Sequence, residues 1–184
     1  MSKKKREALT VTRLIKEVLV DQLSIPFKQI VNDTSFRDYT GSQRPDLLIS
    51  EFEFDGENEE QYIANLVAYA EAKDNCSVDD ADWKDAIKQG KIKSKKLNLP
   101  YFIVTNCKTS VFYNAKTLKE ITLNKNPIRE FQTIDILRLI KNRLIIIIII
   151  INYIYIIIIL LYAGLFFTYF YIKNFINKSS FLTL

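Results

Sequence analysis

The sequence predicts an α/β fold in which a mixed central sheet is flanked by helices and followed by a C-terminal hydrophobic helix. Three observations lead to this prediction. Apolar residues near the N-terminus recur at helical spacing, short runs rich in β-branched and aromatic residues follow, and a long charge-free run fills the C-terminal part. The predicted order of helix, three strands, helix and further strands is typical of an α/β sandwich.

The first predicted element is an amphipathic helix over residues 4–23. Its apolar positions have the spacing of one helix face: Val11, Leu14, Ile15, Val18 and Leu19. Pro26 ends this segment because proline has no amide hydrogen to donate. A short strand is predicted from Phe27 to Val31, followed by a polar, turn-rich segment from Asn32 to Arg44.

Two longer strands are predicted next. The first runs from Asp46 to Phe54 and the second from Tyr62 to Lys73. The acidic segment Asp55–Gln61, which contains Gly56, has the composition of a turn. The two strands are therefore expected to pair as an antiparallel hairpin.

A helix and a second group of strands complete the prediction. Asp79 or Asp80 is a candidate N-cap for a helix that has apolar residues on one face and lysines on the other. The apolar face contains Trp83, Ala86 and Ile87. Strands are predicted at Tyr101–Thr105, Val111–Tyr113 and Glu120–Leu123, and a closing helix at Ile134–Leu144.

The composition excludes several kinds of chemistry. The chain of 184 residues contains no histidine, which rules out Ser-His-Asp and Cys-His catalysis and histidine-ligated zinc. Cys76 and Cys107 are far apart, so we expect two reduced thiols, not a zinc ribbon or a disulfide framework. The net charge of +5 permits binding to a polyanion without requiring it.

The composition changes abruptly near Arg143, which predicts three parts: a domain over 1–143, a hydrophobic isoleucine-rich segment over 144–172 and a short tail over 173–184. Residues 144–171 contain no charged side chain. As a helix they would be about 42 Å long, enough to cross a hydrocarbon core of about 30 Å.

One interpretation of this segment is a membrane anchor that leaves the N-terminal domain in the cytoplasm, because the cations before it outnumber those after it. These are Arg138, Lys141 and Arg143 before it, and Lys173 and Lys178 after it. The alternative is that the segment is a translation artefact of very A/T-rich DNA. Since the N-terminus also lacks a signal peptide, a cytoplasmic protein is expected in that case.

Asp46, Glu71 and Lys73 form the pattern that most clearly indicates chemistry. Glu71 and Lys73 end an otherwise apolar strand, and Asp46 opens the preceding one. Side chains two apart on a strand share a face, and antiparallel pairing can place Asp46 beside Glu71. Charged residues that interrupt apolar strands are often site residues.

Two neighbouring carboxylates favour a divalent cation between them, and Mg²⁺ prefers oxygen ligands. Asp46 and Glu71 are therefore candidate metal ligands. A bound Mg²⁺ would polarise a phosphate and activate water, while Lys73 would neutralise charge that develops in the transition state. This chemistry predicts a magnesium-dependent phosphodiesterase.

The chain resembles the PD-(D/E)XK nuclease superfamily. Within it, the chain resembles the N-terminal domain of type I restriction endonuclease R subunits and of restriction enzymes fused to N6-adenine methylases. Three stretches carry the resemblance: RPDLLIS at 44–50, LVAYAEAKD at 66–74 and DAIKQGKIK…LPYFIVTNCKTSVFYN at 85–114. It implies a restriction-endonuclease-like core, and an endonuclease that hydrolyses double-stranded DNA in a restriction-modification system.

The resemblance also implies roles for particular residues. Asp46, Glu71 and Lys73 would form the catalytic core, assisted by Gln89 on the following helix. The tyrosine that usually stands four residues later is replaced by Lys93, and Cys107 stands where the family has glycine. A glutamate of the first helix often completes the metal site, for which Glu7 and Glu17 are rivals.

Partners are expected to be DNA and the missing parts of a larger enzyme. The lysine-rich helix is the candidate DNA-binding surface, through Lys84, Lys88, Lys91 and Lys93. No ATP-binding loop or methylase signature is found, so methylase, specificity or motor subunits or domains are expected to be missing from a truncated chain. The alternative is a non-catalytic remnant that binds DNA or partner subunits.

Overall fold

The computed structural model describes residues 3–32, 45–74, 76–106 and 108–179. The polar segment predicted up to Arg44, apart from Asn32, lies outside these residues, as do Cys107 and the end of the predicted tail. The chain divides into two compact units, one up to Asn142 and one from Arg143.

The first unit opens with helix α1 at Lys3–Arg13, which continues as π-helical turns over Leu14–Val20. Its inward residues are those that the periodicity predicts, and Leu14 and Leu19 are almost completely buried. A 3₁₀ turn at Phe27–Gln29 follows Pro26. The strand predicted from Phe27 is therefore limited to its last two residues.

The centre of the unit is a five-stranded mixed sheet whose spatial order is the chain order. Its strands are β1 (Ile30–Val31), β2 (Leu47–Ser50), β3 (Leu66–Ala72), β4 (Tyr101–Thr105) and β5 (Ser110–Asn114). Only β3 and β4 are parallel to each other; the other neighbours are antiparallel. The prediction of a mixed sheet flanked by helices is confirmed.

The connection between β2 and β3 differs from the predicted hairpin turn because it contains helix α2 at Glu59–Ala64. The aromatic and β-branched residues of this segment favour a strand, but tertiary contacts override that preference. The Tyr62 hydroxyl donates hydrogen bonds to the carbonyls of Gln29 and Leu48, which holds the helix against the sheet. The strand predicted from Tyr62 thus begins only at Leu66.

Strand β2 ends at Ser50, although the sequence predicts a strand to Phe54. The Ser50 hydroxyl donates a hydrogen bond to the Tyr62 carbonyl and accepts one from the Phe52 amide. These side-chain bonds replace ladder hydrogen bonds, so the chain leaves the sheet at this point.

Helix α3 (Ala81–Lys96) forms the crossover that parallel pairing of β3 and β4 requires, and it packs against both strands. Asp80 precedes it, and the Asp80 carbonyl accepts the Lys84 amide hydrogen. Trp83 and Ala86 are completely buried. A Cβ atom at Gly90 would overlap the Phe102 ring, so this glycine permits a close approach of α3 to β4.

A two-stranded sheet of β6 (Thr122–Leu123) and β7 (Asn126–Pro127) precedes the last helix, α4 (Ile134–Ser179). Within the first unit, Leu137 and Ile140 of α4 are buried. Of the described residues, one stretch, Ile134–Tyr169, is by length and composition able to cross a membrane, and 18 consecutive residues within it have a mean hydropathy of 3.3.

Candidate functional site

The site lies where β3 ends and β2 begins, because these strands run in opposite directions. Leu47 of β2 pairs with Ala70 of β3, so the residue before Leu47 lies beside the end of β3. That residue is Asp46, and its Oδ2 accepts a hydrogen bond of 2.8 Å from the Ala72 amide. Strand pairing thus brings Asp46 to the strand segment that carries Glu71.

Glu71 and Lys73 share one face of β3, as strand alternation predicts. Lys73 Nζ lies 3.6 Å from Glu71 Oε1. The Lys73 amide donates a hydrogen bond of 2.8 Å to the Thr105 carbonyl, which fixes the backbone beyond the strand end. On the same face, the Tyr69 hydroxyl donates a hydrogen bond to Glu71 Oε2. The Glu71 side chain is therefore held from both sides.

Lys93 of α3 also contacts Glu71, with Nζ 2.9 Å from Oε2. The same ammonium lies 5.8 Å from the centre of the Tyr69 ring. We call Asp46, Tyr69, Glu71, Lys73 and Lys93 the ionic cluster.

The assignment of Lys93 to an exposed DNA-binding face is wrong, because its side chain is almost completely buried. Lys93 lies on the buried side of α3 together with Trp83, Ala86 and Gly90. Leu97, which follows the last residue of the helix, is buried as well. These positions have the helical spacing of three or four residues. This periodicity is the sequence signal that places Lys93 inside, whereas the clustering of lysines in the helix suggests a uniformly exposed face.

Gln89 lies apart from the cluster. Its side chain is exposed, and among the described residues no hydrogen bond joins it to Asp46, Glu71 or Lys73. Gly90, its neighbour, faces the sheet, whereas Gln89 is exposed to solvent. Among the described residues, no contact of Gln89 supports the assisting role that the resemblance implies.

The two glutamates of the first helix have different surroundings. Glu7 Oε1 lies 3.9 Å from Lys73 Nζ, so Glu7 borders the ionic cluster. Glu17 is paired with Arg13 at 3.3 Å, and 54% of its side chain is exposed. Of the two rivals, Glu7 is the one that lies at the candidate site.

Burial and charge shift the protonation of the cluster. Burial and the neighbouring charge of Glu71 raise the pKa of Asp46 from 3.8 to about 6, against the lowering effects of the Ala72 amide, Lys93 and Lys73. Burial and the Glu71 charge also raise the pKa of the Tyr69 hydroxyl, so it stays protonated and can donate to Glu71.

The donor chemistry of Asp46 and Glu71 fits Mg²⁺, which prefers carboxylate oxygens. Burial and the Glu71 charge raise the pKa of Asp46, so a metal ion bound here would have to displace a proton from this carboxyl group over part of the pH range. Glu71, however, already interacts with two ammonium groups. Among the residues that the structure describes, no group of three or more histidine, cysteine, aspartate or glutamate side chains could hold a metal ion.

The other predicted lysines do lie on the surface of α3. Lys84, Lys88 and Lys91 are exposed, and their spacing places them on one side of the helix. Lys88 pairs with Asp85 at 3.1 Å, with most of both side chains in solvent. These three lysines form what we call the lysine face.

Comparisons with models of known protein families, with curated proteins and with solved structures gave no match.

Proposed function

We propose that the first unit is a metal-dependent DNA endonuclease module of a restriction-modification system, with a restriction-endonuclease-like core of the PD-(D/E)XK type. The observation that carries the proposal is the convergence of Asp46, Glu71 and Lys73 where β2 begins and β3 ends. Glu7 of the first helix borders this group, with Oε1 3.9 Å from Lys73 Nζ. The helix-strand order and the parallel β3–β4 pair also suit such a core.

In the proposed reaction, Asp46 and Glu71 are the residues that would hold Mg²⁺. When bound, Mg²⁺ would polarise the phosphate and lower the pKa of a coordinated water. Lys73, held 3.6 Å from Glu71, would donate hydrogen bonds to the attacking water or to a phosphate oxygen. Its compact ammonium suits this role because it is a point charge with three donors.

Double-stranded DNA is the proposed substrate, and the lysine face is its proposed contact surface. Its three exposed lysines supply sequence-independent attraction to phosphates. Methylase, specificity or motor subunits or domains would supply the choice of target sequence, since phosphate contacts carry no sequence information.

The test is nicking of supercoiled plasmid by the full chain, purified in detergent, with Mg²⁺ or Mn²⁺ and with EDTA. We expect cleavage that EDTA abolishes and that Lys73→Ala or Asp46→Ala reduces about 100-fold or more. Lys119→Ala is the matched control, because Lys119 is exposed and lies on another part of the unit. Equal cleavage by the parent and by Lys73→Ala would refute the catalytic assignment.

A second function is favoured by one specific observation. The contact of Lys93 with Glu71 neutralises a carboxylate that a metal would need. A non-catalytic module that binds DNA or partner subunits would retain such an ion pair. In that case the chain would bind DNA in EDTA as well as in Mg²⁺, and no divalent ion would produce nicks.

We further propose that α4 anchors the protein in a membrane, with the first unit in the cytoplasm. The length and hydropathy of Ile134–Tyr169 support insertion, and the cations that precede the isoleucine run support a cytoplasmic N-terminal side. Expression with a C-terminal reporter tests the anchor. The reporter should remain with membranes after alkaline extraction and dissolve in detergent, whereas release by alkali would contradict insertion.

A further inference from the structure

Lys93 places a cation inside the site that is proposed to bind a metal. Its Nζ lies 2.9 Å from Glu71 Oε2, and only 11% of its side chain is exposed. The same oxygen accepts the Tyr69 hydroxyl hydrogen bond. Glu71 Oε2 thus has two donors, while Oε1 faces Lys73 Nζ at 3.6 Å.

These contacts occupy Glu71 Oε2, so a metal ion that binds this oxygen must displace one of its two donors. Mg²⁺ binds carboxylate oxygens at about 2.0–2.1 Å and demands near-octahedral geometry. An oxygen that already accepts two hydrogen bonds cannot take up that position unless one donor leaves. Lys93 is the donor expected to leave, because its positive charge would also repel the ion.

We infer that Lys93 is an internal counter-cation that competes with the divalent ion for Glu71, so that metal binding expels the Lys93 ammonium from the cluster. This inference deepens the proposed function, because it concerns the same metal site. The four-carbon side chain allows the movement. Because 11% of the Lys93 side chain is already exposed, a different rotamer can carry its ammonium into solvent.

The consequence is that the ionic cluster should bind metal weakly, because Lys73 and Lys93 already face its two carboxylates. Asp46 and Glu71 supply two potential negative charges, and Lys73 and Lys93 supply two positive ones. Removal of the Lys93 charge should therefore strengthen metal binding, whereas removal of an ordinary metal-site residue weakens it. The direction of the effect distinguishes the two roles.

The experiment is calorimetric titration of the full chain in detergent with MnCl₂, comparing the parent with Lys93→Met. Methionine keeps the length of the side chain and removes its charge. We expect a Kd about ten-fold lower or more, while Lys95→Met, the matched change at an exposed site on the same helix, stays within about two-fold. An unchanged or higher Kd for Lys93→Met, or no measurable binding, would overturn the inference.

A measurement on the parent protein covers the case in which Lys93→Met does not fold. Reductive methylation followed by peptide mass spectrometry reports how accessible each lysine is. Saturating MnCl₂ should increase labelling of Lys93 several-fold and leave Lys95 unchanged. Metal binding without increased Lys93 labelling would contradict expulsion. Plasmid nicking is scored separately, so tighter metal binding without cleavage would refute the nuclease and leave the role of Lys93 intact.

Discussion

The first unit buries polar side chains in two different ways. In what we call the neutral pairs, one donor meets one acceptor and no charge is involved. The pairs are Trp83 Nε1 with the Tyr113 hydroxyl at 3.0 Å, the Thr105 and Ser110 hydroxyls at 2.9 Å, and the Tyr101 hydroxyl with the Val67 carbonyl at 2.5 Å. Such pairs satisfy groups that would otherwise be costly to bury.

The ionic cluster instead brings two carboxyl groups and two ammonium groups together in a largely buried environment. The two lysines do not fully offset the effects of burial and of Glu71 on Asp46. Burial and Glu71 raise the pKa of Asp46 to about 6 even though two lysines oppose the shift. Buried ion pairs are often no more stable than apolar residues of the same volume. Stability alone therefore does not explain the cluster, and this difference from the neutral pairs supports a chemical role.

The largest expected effect comes from Glu71→Gln, which removes the central charge of the ionic cluster. Lys93 would be left buried without its carboxylate, so the free energy of unfolding should fall by about 3 kcal/mol. Urea denaturation followed by the fluorescence of Trp83, the single tryptophan, measures this change.

The control for that experiment is the double variant Glu71→Gln with Lys93→Met. It removes both charges together and should recover a substantial part of the lost stability. If the double variant is less stable than Glu71→Gln by the full cost of Lys93→Met alone, the two residues are independent and the ion pair has no energetic role.

The next effect is a gain in the free energy of unfolding, and its size depends on pH. Because the pKa of Asp46 is about 6 in the folded unit and 3.8 ordinarily, the folded protein keeps a proton between these values that the unfolded chain has lost. The contribution of Asp46 to the free energy of unfolding is therefore largest below pH 4. It falls by about 3 kcal/mol as the pH rises through 6.

Asp46→Asn should abolish that loss, because asparagine is uncharged and can still accept the Ala72 amide hydrogen bond. We expect the variant to match the parent near pH 4 and to be more stable by about 3 kcal/mol above pH 6.5. Urea denaturation at several pH values measures the difference. Parallel stability curves for the two proteins would mean that Asp46 titrates normally.

The ionic cluster and helix α2 also differed in how well the sequence predicted them. Period-two alternation placed Glu71 and Lys73 on one face because it depends only on local backbone geometry, and antiparallel pairing of adjacent strands then placed Asp46 beside them. The composition of the segment around Tyr62 does not predict helix α2, because hydrogen bonds of Tyr62 with Gln29 and Leu48 determine its position. Such contacts join residues distant in sequence, so no local pattern records them.

A smaller effect is expected from Trp83→Phe, which breaks one neutral pair. The change removes the donor to Tyr113 and leaves a small cavity, so the free energy of unfolding should fall by about 1–2 kcal/mol. No charge is involved, and the loss should be the same at pH 5 and pH 8 when measured by circular dichroism. A loss that varied with pH would link this pair to the ionic cluster.

The smallest effect on stability, within about 0.5 kcal/mol, is expected when all three residues of the lysine face are changed to glutamine. These side chains are exposed, and the contact of Lys88 with Asp85 is too solvated to contribute much. DNA binding should respond strongly: the affinity should fall and the slope of log K against log salt should decrease by about 3.

The matched control is the triple change to glutamine of Lys116, Lys119 and Lys125, which are equally exposed but lie outside α3. It alters net charge by the same amount, so a general charge effect would lower DNA affinity equally in both variants. A selective loss in the lysine-face variant would place the DNA contact on α3. Equal losses would show that the attraction is distributed over the whole surface, and α3 would then have no special part in binding.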